Sequence, residues 1–292
     1  MTTIEDTKTE AAVVAQIARE GAEHEELLVG EVYALQDGNG GYRVVSTDEF
    51  AEAPRRAEAS RVLTDAASFA TYVNRHKTDA TEVFAHTNTA TVVAVIDSHR
   101  SGADAGLPGW QKHRVTLKLE HSKPWLAWAA ADGNWFDQEE FAEFIENRFS
   151  EVIVPDPAAM IDIATSFEAK KGVDFKAGFR GESGEVKLQY EETVKAKAGQ
   201  KGELEIPKKI QLALRPYVGG PIYSIWANFR YRITANGLRL GFILERPENI
   251  LDAAFADVVT DLRDGKEASE KDSRPGHEGI GSTPLFYGKP AL

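Results

Sequence analysis

The segment PIYSIWANFRYRITANGLRLGFILE, residues 221–245, decides the fold, because two alternating runs flank an Asn-Gly pair. Apolar and polar residues alternate with a period of two on both sides, which is typical of strands with one buried face. Asn236 and Gly237 both tolerate the positive φ that a two-residue hairpin turn requires. The segment therefore predicts an antiparallel hairpin whose strands span Pro221–Thr234 and Leu238–Glu245.

The two faces of this predicted hairpin differ in chemistry. One face carries Trp226, Arg230 and Arg232, and Arg239 lies on the second strand. Arginine makes bidentate contacts with phosphate or carboxylate, and an exposed indole stacks on a base, so this face is a candidate site for an acidic partner or nucleic acid. The alternative is a solvated face, since charged side chains also protect sheets from aggregation. The other face is predicted to pack inward through Tyr223, Ile225, Ala227, Phe229, Tyr231 and Ile233.

Helical and β patterns continue outward from the hairpin. Asp137 followed by Glu140 has the form of a capping box, and Asp156-Pro157 joins an N-cap to the proline favoured at the first helical position. Pro207 predicts an edge strand or a bulge. Apolar periodicity predicts helices over residues 9–26, 65–76, 137–149, 156–167 and 247–262. Alternation predicts strands over residues 91–98, 114–120, 173–179, 186–190 and 204–214.

These patterns predict an α+β protein, with antiparallel β-hairpins and a sheet flanked by amphipathic helices and with extended terminal segments. We expect three regions. Residues 1–64 form an acidic helical arm, residues 65–262 form the α+β core, and residues 263–292 form a flexible linker with an apolar tail.

Both terminal regions are candidates for contacts between copies of the chain. Residues 1–60 hold 13 acidic and 5 basic residues, whereas residues 170–246 hold 15 Lys and Arg against 8 Asp and Glu. One copy's acidic segment is therefore suited to another copy's basic sheet. Leu285, Phe286 and Tyr287 end the tail with an apolar patch, which is a candidate interface; an unstructured tail with chance aromatics is the alternative. We expect a homo-oligomer.

Composition excludes several classes of protein. The formal net charge of −12 argues against general nucleic-acid binding by the whole chain, and the absence of cysteine removes disulfides and thiolate chemistry. No apolar run approaches the roughly 18 residues that a membrane span needs, and the acidic N-terminus lacks the pattern of a secretion signal. These features predict a cytoplasmic protein without membrane partners.

One group of residues has the types needed for catalysis. Asp97, His99, His113 and Arg114 lie at the two ends of a wide hairpin predicted between residues 91 and 120. Histidine with a carboxylate serves as a metal site or a general base, provided that the side chains converge. The alternative is a set of polar residues that pin the hairpin mouth. No phosphate-binding loop, zinc motif or nucleophile elbow occurs, so an enzyme is unsupported, and we expect no cofactor and no metal.

Eight segments occur in an order that is typical of one known family. They are SFATYVNRHK (68–77), VVAVIDSH (92–99), GWQKHR (109–114), FAEFIENRF (141–149), IATSFEAKKGVDFKAGFR (163–180), VKLQYEETV (186–194), FRYRI (229–233) and ERPENILDAAFADVV (245–259). Together they resemble the YfdQ-like proteins, a domain of unknown function carried by tailed bacteriophages and prophages. The resemblance covers roughly residues 65–262. It implies a phage origin and action inside a bacterium, in the cytoplasm of the host, and it brings no catalytic residues.

Three functions compete on these observations. The favoured one is a non-enzymatic phage protein that self-associates and binds a partner or an anionic ligand. The second is a capsid-like shell-forming protein, favoured by the acidic arm, the long hairpins and the apolar tail. The third is a metal-dependent hydrolase that uses Asp97, His99 and His113.

Overall fold

A computed structural model describes residues 9–14, 27–36, 41–54, 57–104, 106–169, 196–197, 206–234, 237–267 and 276–290. The fold is α+β, as the sequence predicts. The labelled helices are α1 (Ala66–His76), α2 (Lys123–Ala131), α3 (Gln138–Glu146), α4 (Pro157–Ser166) and α5 (Pro247–Asp264). The strands are β1 (Val32–Gln36), β2 (Tyr42–Ser46), β3 (Ala59–Leu63), β4 (Glu82–His86), β5 (Thr91–Val95), β6 (His113–Lys118), β7 (Trp135–Phe136), β8 (Val152–Val154), β9 (Glu168–Ala169), β10 (Ala196–Lys197), β11 (Lys209–Leu214), β12 (Tyr223–Thr234), β13 (Gly237–Leu244), β14 (Gly265–Lys266), β15 (His277–Glu278) and β16 (Leu285–Tyr287).

The chain divides into two compact units, residues 1–58 and residues 59–292. In the first unit, β1 and β2 form an antiparallel hairpin. Residues 10–14 are helical, and they are the described part of the predicted helix at 9–26, most of which lies outside the described residues.

The second unit contains two five-stranded sheets. Sheet I has the strand order β16-β4-β5-β6-β3, with antiparallel pairing from β4 to β6 and parallel pairing of β16 and β3 at its edges. The wide hairpin predicted between residues 91 and 120 is confirmed as β5 and β6. The core of sheet I includes residues of α1 and α5 as well as its own strands: Phe69, Val73, Val83, Val92, Val115, Leu117, Phe255, Val259 and Leu262.

Sheet II is antiparallel throughout and has the order β7-β13-β12-β11-β8. The predicted hairpin is confirmed, because β12 pairs with β13 from Ala227 opposite Leu244 to Thr234 opposite Gly237. Residues 235–236, which join the two strands, lie outside the described residues, and with them the predicted type of turn. The predicted inward face is confirmed as well, since Ile225, Ala227 and Phe229 belong to the buried core.

Helix α5 joins the two cores. Phe255 and Leu262 are buried in the core of sheet I, whereas Ile250 packs against the core of sheet II. Leu251 lies between them and contacts both cores. The core of sheet II is otherwise closed by α2, α3 and α4, with these buried side chains: Trp125, Trp128, Phe141, Ile145, Met160, Ile163, Ile210, Leu212, Leu240 and Phe242.

Helices α1, α3, α4 and α5 begin where the sequence predicts, whereas α2 is not among the predicted helices. Asp65 caps α1 by accepting a hydrogen bond from the Ser68 N–H at 2.7 Å. Asp137 and Glu140 form a complete capping box at α3, and Asp156 caps α4 ahead of its N-terminal proline. Each cap satisfies a backbone N–H group that the first helical turn leaves unpaired.

The strand predicted over residues 204–214 differs in one respect. It begins only at Lys209 and lies between β12 and β8, so the edge position, one of the two alternatives that Pro207 predicts, is wrong. The other alternative is a bulge, and the pairing of β11 with β8 does shift register between Gln211 and Leu212. Proline has no backbone N–H to donate, and the strand starts beyond it. The strands predicted over residues 173–190 lie outside the described residues.

The C-terminal segment, predicted as a linker and tail, contains paired strands. Gly265–Lys266 pairs with His277–Glu278, and Ile280 is fully buried in the core of sheet I. Leu285–Tyr287 then adds to the edge of β4 in parallel, and Leu285 packs against the same core. This pairing joins residues about 200 positions apart in sequence, a separation beyond the reach of local patterns.

Gly237→Val should destabilise the protein by roughly 1–3 kcal/mol, because Gly237 has a φ of +108°, which a β-branched residue resists. An added Cβ there meets no atom within 4 Å, so the effect isolates the backbone. Urea unfolding followed by circular dichroism measures it. The control is Ser224→Val, which places the same side chain on an exposed position of β12. If both variants lose the same free energy of unfolding, the positive φ of Gly237 is not the cause of the effect.

Leu285→Ser should lower the free energy of unfolding by roughly 1–2 kcal/mol, because it removes apolar surface that packs on the core of sheet I. Tyr287→Ser is the matched control, since Tyr287 is 68% exposed and its replacement should cost less than about 0.5 kcal/mol. Thermal unfolding distinguishes the two variants. If both changes are neutral, β16 does not stabilise sheet I.

Candidate functional site

The mouth of the β5–β6 hairpin is held by backbone pairing. His99 and Pro108 form an isolated bridge, and the Gly109 N–H donates to the Ser98 carbonyl at 3.0 Å. A Cβ on Gly109 would lie 2.0 Å from the Asp97 carbonyl oxygen, so only glycine fits at this close approach. The hairpin mouth is therefore tightly closed.

The three residues of the predicted hydrolase site have separate partners. The Asp97 carboxylate accepts hydrogen bonds from the backbone N–H groups of Lys112 at 3.0 Å and His113 at 2.9 Å. His99 Nε2 lies 3.1 Å from a carboxylate oxygen of Glu82. The Asp97 contacts join the two ends of the hairpin, as in the alternative of polar residues at its mouth, whereas the His99 contact joins the hairpin to Glu82 on β4.

His113 belongs to a small aromatic cluster under α1. Its Nε2 lies 2.9 Å from the Tyr72 hydroxyl, and its ring centroid is 5.2 Å from that of His76. Burial lowers the pKa of His113, and the nearby His76 and Arg61 lower it further, while Asp97 opposes them. His113 is thus a buried histidine held neutral by its surroundings, and sequence reasoning missed Tyr72 and His76 as its partners.

No metal site appears in the described part of the chain. Within it, no group of three or more His, Asp or Glu side chains is placed to hold a metal ion. The same residues include no helix that is both long and apolar enough to cross a membrane.

The predicted binding residues do come together, on the outer face of sheet II. Trp226, Arg230 and Arg232 lie on one side of β12, the central strand, with Asn228 between Trp226 and Arg230, and all three are exposed. Arg239 on β13 lies directly opposite Arg232. We call these four side chains the arginine face.

Two of the three arginines contact a neighbouring side chain. The Arg232 guanidinium lies 4.2 Å from the centre of the Trp135 ring, in a cation–π contact. Arg239 lies 3.8 Å from the Glu140 carboxylate, which is mostly exposed. Such a surface pair contributes little to stability, so Arg239 keeps most of its capacity for another anion.

A close approach of backbones shapes the surface beside Arg230. Gly241 lies opposite Arg230, and a Cβ there would be 2.4 Å from the Asn134 carbonyl oxygen. Both residues line a shallow depression of about 10 Å³ together with Trp135 and Ile243. Arg230 therefore borders a depression with room for about one water molecule.

A neutralised pair borders the arginine face. Lys209 Nζ lies 2.6 Å from Glu245 Oε1. This hydrogen bond lowers the pKa of Glu245, so the carboxylate stays charged and balances the lysine. The positive charge of the outer face is therefore concentrated on the arginines of β12 and β13.

The sequence matches the family described as an uncharacterized conserved protein (DUF2303) over residues 5–270. The chain belongs to this family. The DUF2303 match reaches beyond the resemblance at residues 65–262 and includes the hairpin β1–β2. It ends before β15 and β16. Neither the curated proteins nor the solved structures include a match to the chain.

Folded-state stability should fall as the pH drops below about 6.5, because burial lowers the pKa of His113 in the folded state. Above that pH both the folded and unfolded states keep this histidine neutral. Below it the unfolded state binds a proton that the folded state accepts only at lower pH, which costs up to roughly 1.4 kcal/mol per pH unit within the window.

Urea unfolding of the wild type and His113→Gln at several pH values between about 7.5 and 5 measures this dependence. The free energy of unfolding of His113→Gln should fall less with decreasing pH than that of the wild type. His86→Gln is the control, since the His86 hydrogen bond to Thr89 lies at the surface. Parallel curves for all three proteins would rule out His113 as the source.

Proposed function

We propose that this chain is a phage-encoded, non-enzymatic protein that self-associates and binds an anionic partner through the arginine face inside the infected bacterium. The arginine face carries this proposal, because it gathers three arginines and an exposed Trp226 on one open sheet surface. The resemblance to YfdQ-like proteins supports the phage origin and the bacterial cytoplasm. The description of the family gives no mechanism, so the proposal rests on the chemistry of the residues.

The charge of the rest of the chain favours a local anion site. The net charge is −12, so most of the surface repels polyanions, and a ligand of that kind is directed to the arginine face. Arginine is suited to it, since a planar guanidinium binds phosphate or carboxylate with two parallel hydrogen bonds. The binding energy should be electrostatic in large part and therefore sensitive to salt.

The hairpin β1–β2 supports self-association. The register places Val32, Ala34, Tyr42 and Val44 on one face, and Tyr42 and Val44 are 75% and 71% exposed. A two-stranded hairpin is marginal by itself in water and gains stability when its apolar face is covered. A second copy of the chain is the partner that we propose for this face.

The hydrolase alternative receives no support from the arrangement of its residues. Asp97 binds backbone N–H groups, His99 contacts Glu82 and His113 contacts Tyr72, so no shared position for a substrate or metal results. Asp97 joins the ends of the hairpin, while His99 contacts β4 and His113 contacts α1.

Charge reversal at Arg230 and Arg232 together should weaken binding of an acidic probe such as polyglutamate at least tenfold at low salt, because both guanidinium charges become repulsive. The matched control is Arg75→Glu with Lys118→Glu, which reverses two exposed charges on other elements. Titration by fluorescence anisotropy measures the affinity. If the two double variants bind alike, the arginine face is only solvated.

The full chain should be an oligomer at micromolar concentration, and Tyr42→Lys with Val44→Lys should shift it toward monomer, because charges on the apolar face oppose its burial. Light scattering after gel filtration measures the mass. Leu107→Lys is the control, since it changes an exposed apolar residue elsewhere. A monomeric wild type in moderate salt would refute self-association.

A further inference from the structure

We propose that the anion bound by the arginine face is single-stranded nucleic acid. This inference rests on the proposed function and adds the class of ligand. It is carried by the combination of Trp226 and the arginines on the outer face of sheet II, rather than by positive charge alone.

The position of Trp226 favours base stacking. It lies on the central strand of sheet II and is 39% exposed, although the opposite side of the same strand packs the core. The partly exposed indole therefore offers a flat apolar surface in the middle of an open sheet, next to the polar arginine side chains. Proteins that bind single strands use such aromatic platforms, because every base has a face that stacks.

The arginines extend that platform along the strand. Arg230 and Arg232 follow Trp226 on the same side of β12, and alternate residues of a strand repeat at about 6.6 Å. An extended single strand presents its phosphates at a comparable repeat, so consecutive phosphates reach consecutive arginines. A folded or compact anion would use fewer of them.

Arg232 is already oriented for this role. Its guanidinium lies against the Trp135 ring at 4.2 Å, which restricts its rotamers before any ligand arrives. A guanidinium plane held on a ring accepts a stacked base on its other side while its edge donates hydrogen bonds. The cross-strand neighbour Arg239 supplies a further positive charge beside it.

Base stacking on Trp226 favours a single strand over a duplex. The major groove admits a two-stranded ribbon, and β12 and β13 continue as a pair beyond Asn228, where the pairing of β11 with β12 ends, so the arginines by themselves fit either form of nucleic acid. Trp226 is different, because an indole stacks on a base that is unpaired and accessible. Only a single strand therefore uses both Trp226 and the arginines.

An acidic protein partner would need the arginines but not the indole. Glutamate and aspartate side chains form bidentate pairs with Arg230 or Arg232 and gain nothing specific from Trp226. Replacing the indole therefore separates the two kinds of partner.

Fluorescence anisotropy with labelled 20-mers of oligothymidine, oligouridine and a DNA duplex tests the proposal on the full-length protein in about 50 mM salt. We expect micromolar or tighter binding of a single strand and clearly weaker binding of the duplex. Comparing the affinities for oligothymidine and oligouridine distinguishes DNA from RNA. Trp226→Leu should weaken binding by roughly tenfold or more, as expected for the loss of one stacked base.

Trp110→Leu is the matched control, because Trp110 is an exposed tryptophan away from sheet II, and it should leave the affinity unchanged. Arg230→Glu with Arg232→Glu should also weaken binding and flatten its dependence on salt, by about 0.7 in slope for each phosphate that the variant no longer binds. Circular dichroism confirms that each variant is folded.

Three results would overturn the inference. They are absence of binding to both single strands, duplex binding as tight as single-strand binding, and equal effects of Trp226→Leu and Trp110→Leu. If polyglutamate binding still depends on Arg230 and Arg232 in any of these cases, the proposed function stands and the partner is an acidic protein. If no polyanion depends on those arginines, the proposed function fails as well.

Discussion

The pairing of β12 with β13 is the interaction on which the second unit depends. Eight residues of each strand pair without interruption from Ala227 to Thr234, and the alternation of side chains sends one set inward and the other outward. A shift of one residue would bury Arg230 and Arg232 and expose Phe229, so the buried face holds the register in place. The same register that builds the core of sheet II therefore also builds the arginine face.

Helix α5 extends this constraint to sheet I. It follows β13 after Arg246, whose φ of +50° turns the chain out of the sheet. Its 18 residues bring Ile250 to the core of sheet II and Leu262 to the core of sheet I. Because one helix packs against both cores, a substitution that weakens packing in one core is expected to lower the stability of the other as well.

Charge is distributed so that the outer face of sheet II differs from most of the molecule. The chain has 46 acidic and 34 basic residues, yet the face of β12 and β13 carries arginines whose neighbours limit their motion. Trp135 contacts the Arg232 guanidinium, and Glu140 lies 3.8 Å from Arg239 in a weak surface pair. In contrast, the histidines of the β5–β6 hairpin are committed to contacts within the chain, which explains why residue types suited to catalysis form no shared site.

The sequence by itself determined the elements whose signals are local: the hairpin at residues 221–245, the helix starts at Asp65, Asp137 and Asp156, and the side of β12 that carries arginine. Periodicity and capping act over a few residues, so they can be recognised without the fold. Only the tertiary structure decided that His113 meets Tyr72, that Arg232 lies on Trp135, and that Leu285–Tyr287 completes the edge of sheet I. These contacts join residues far apart in the chain, and they form because burial of apolar surface brings whole elements together, which no short stretch of sequence encodes.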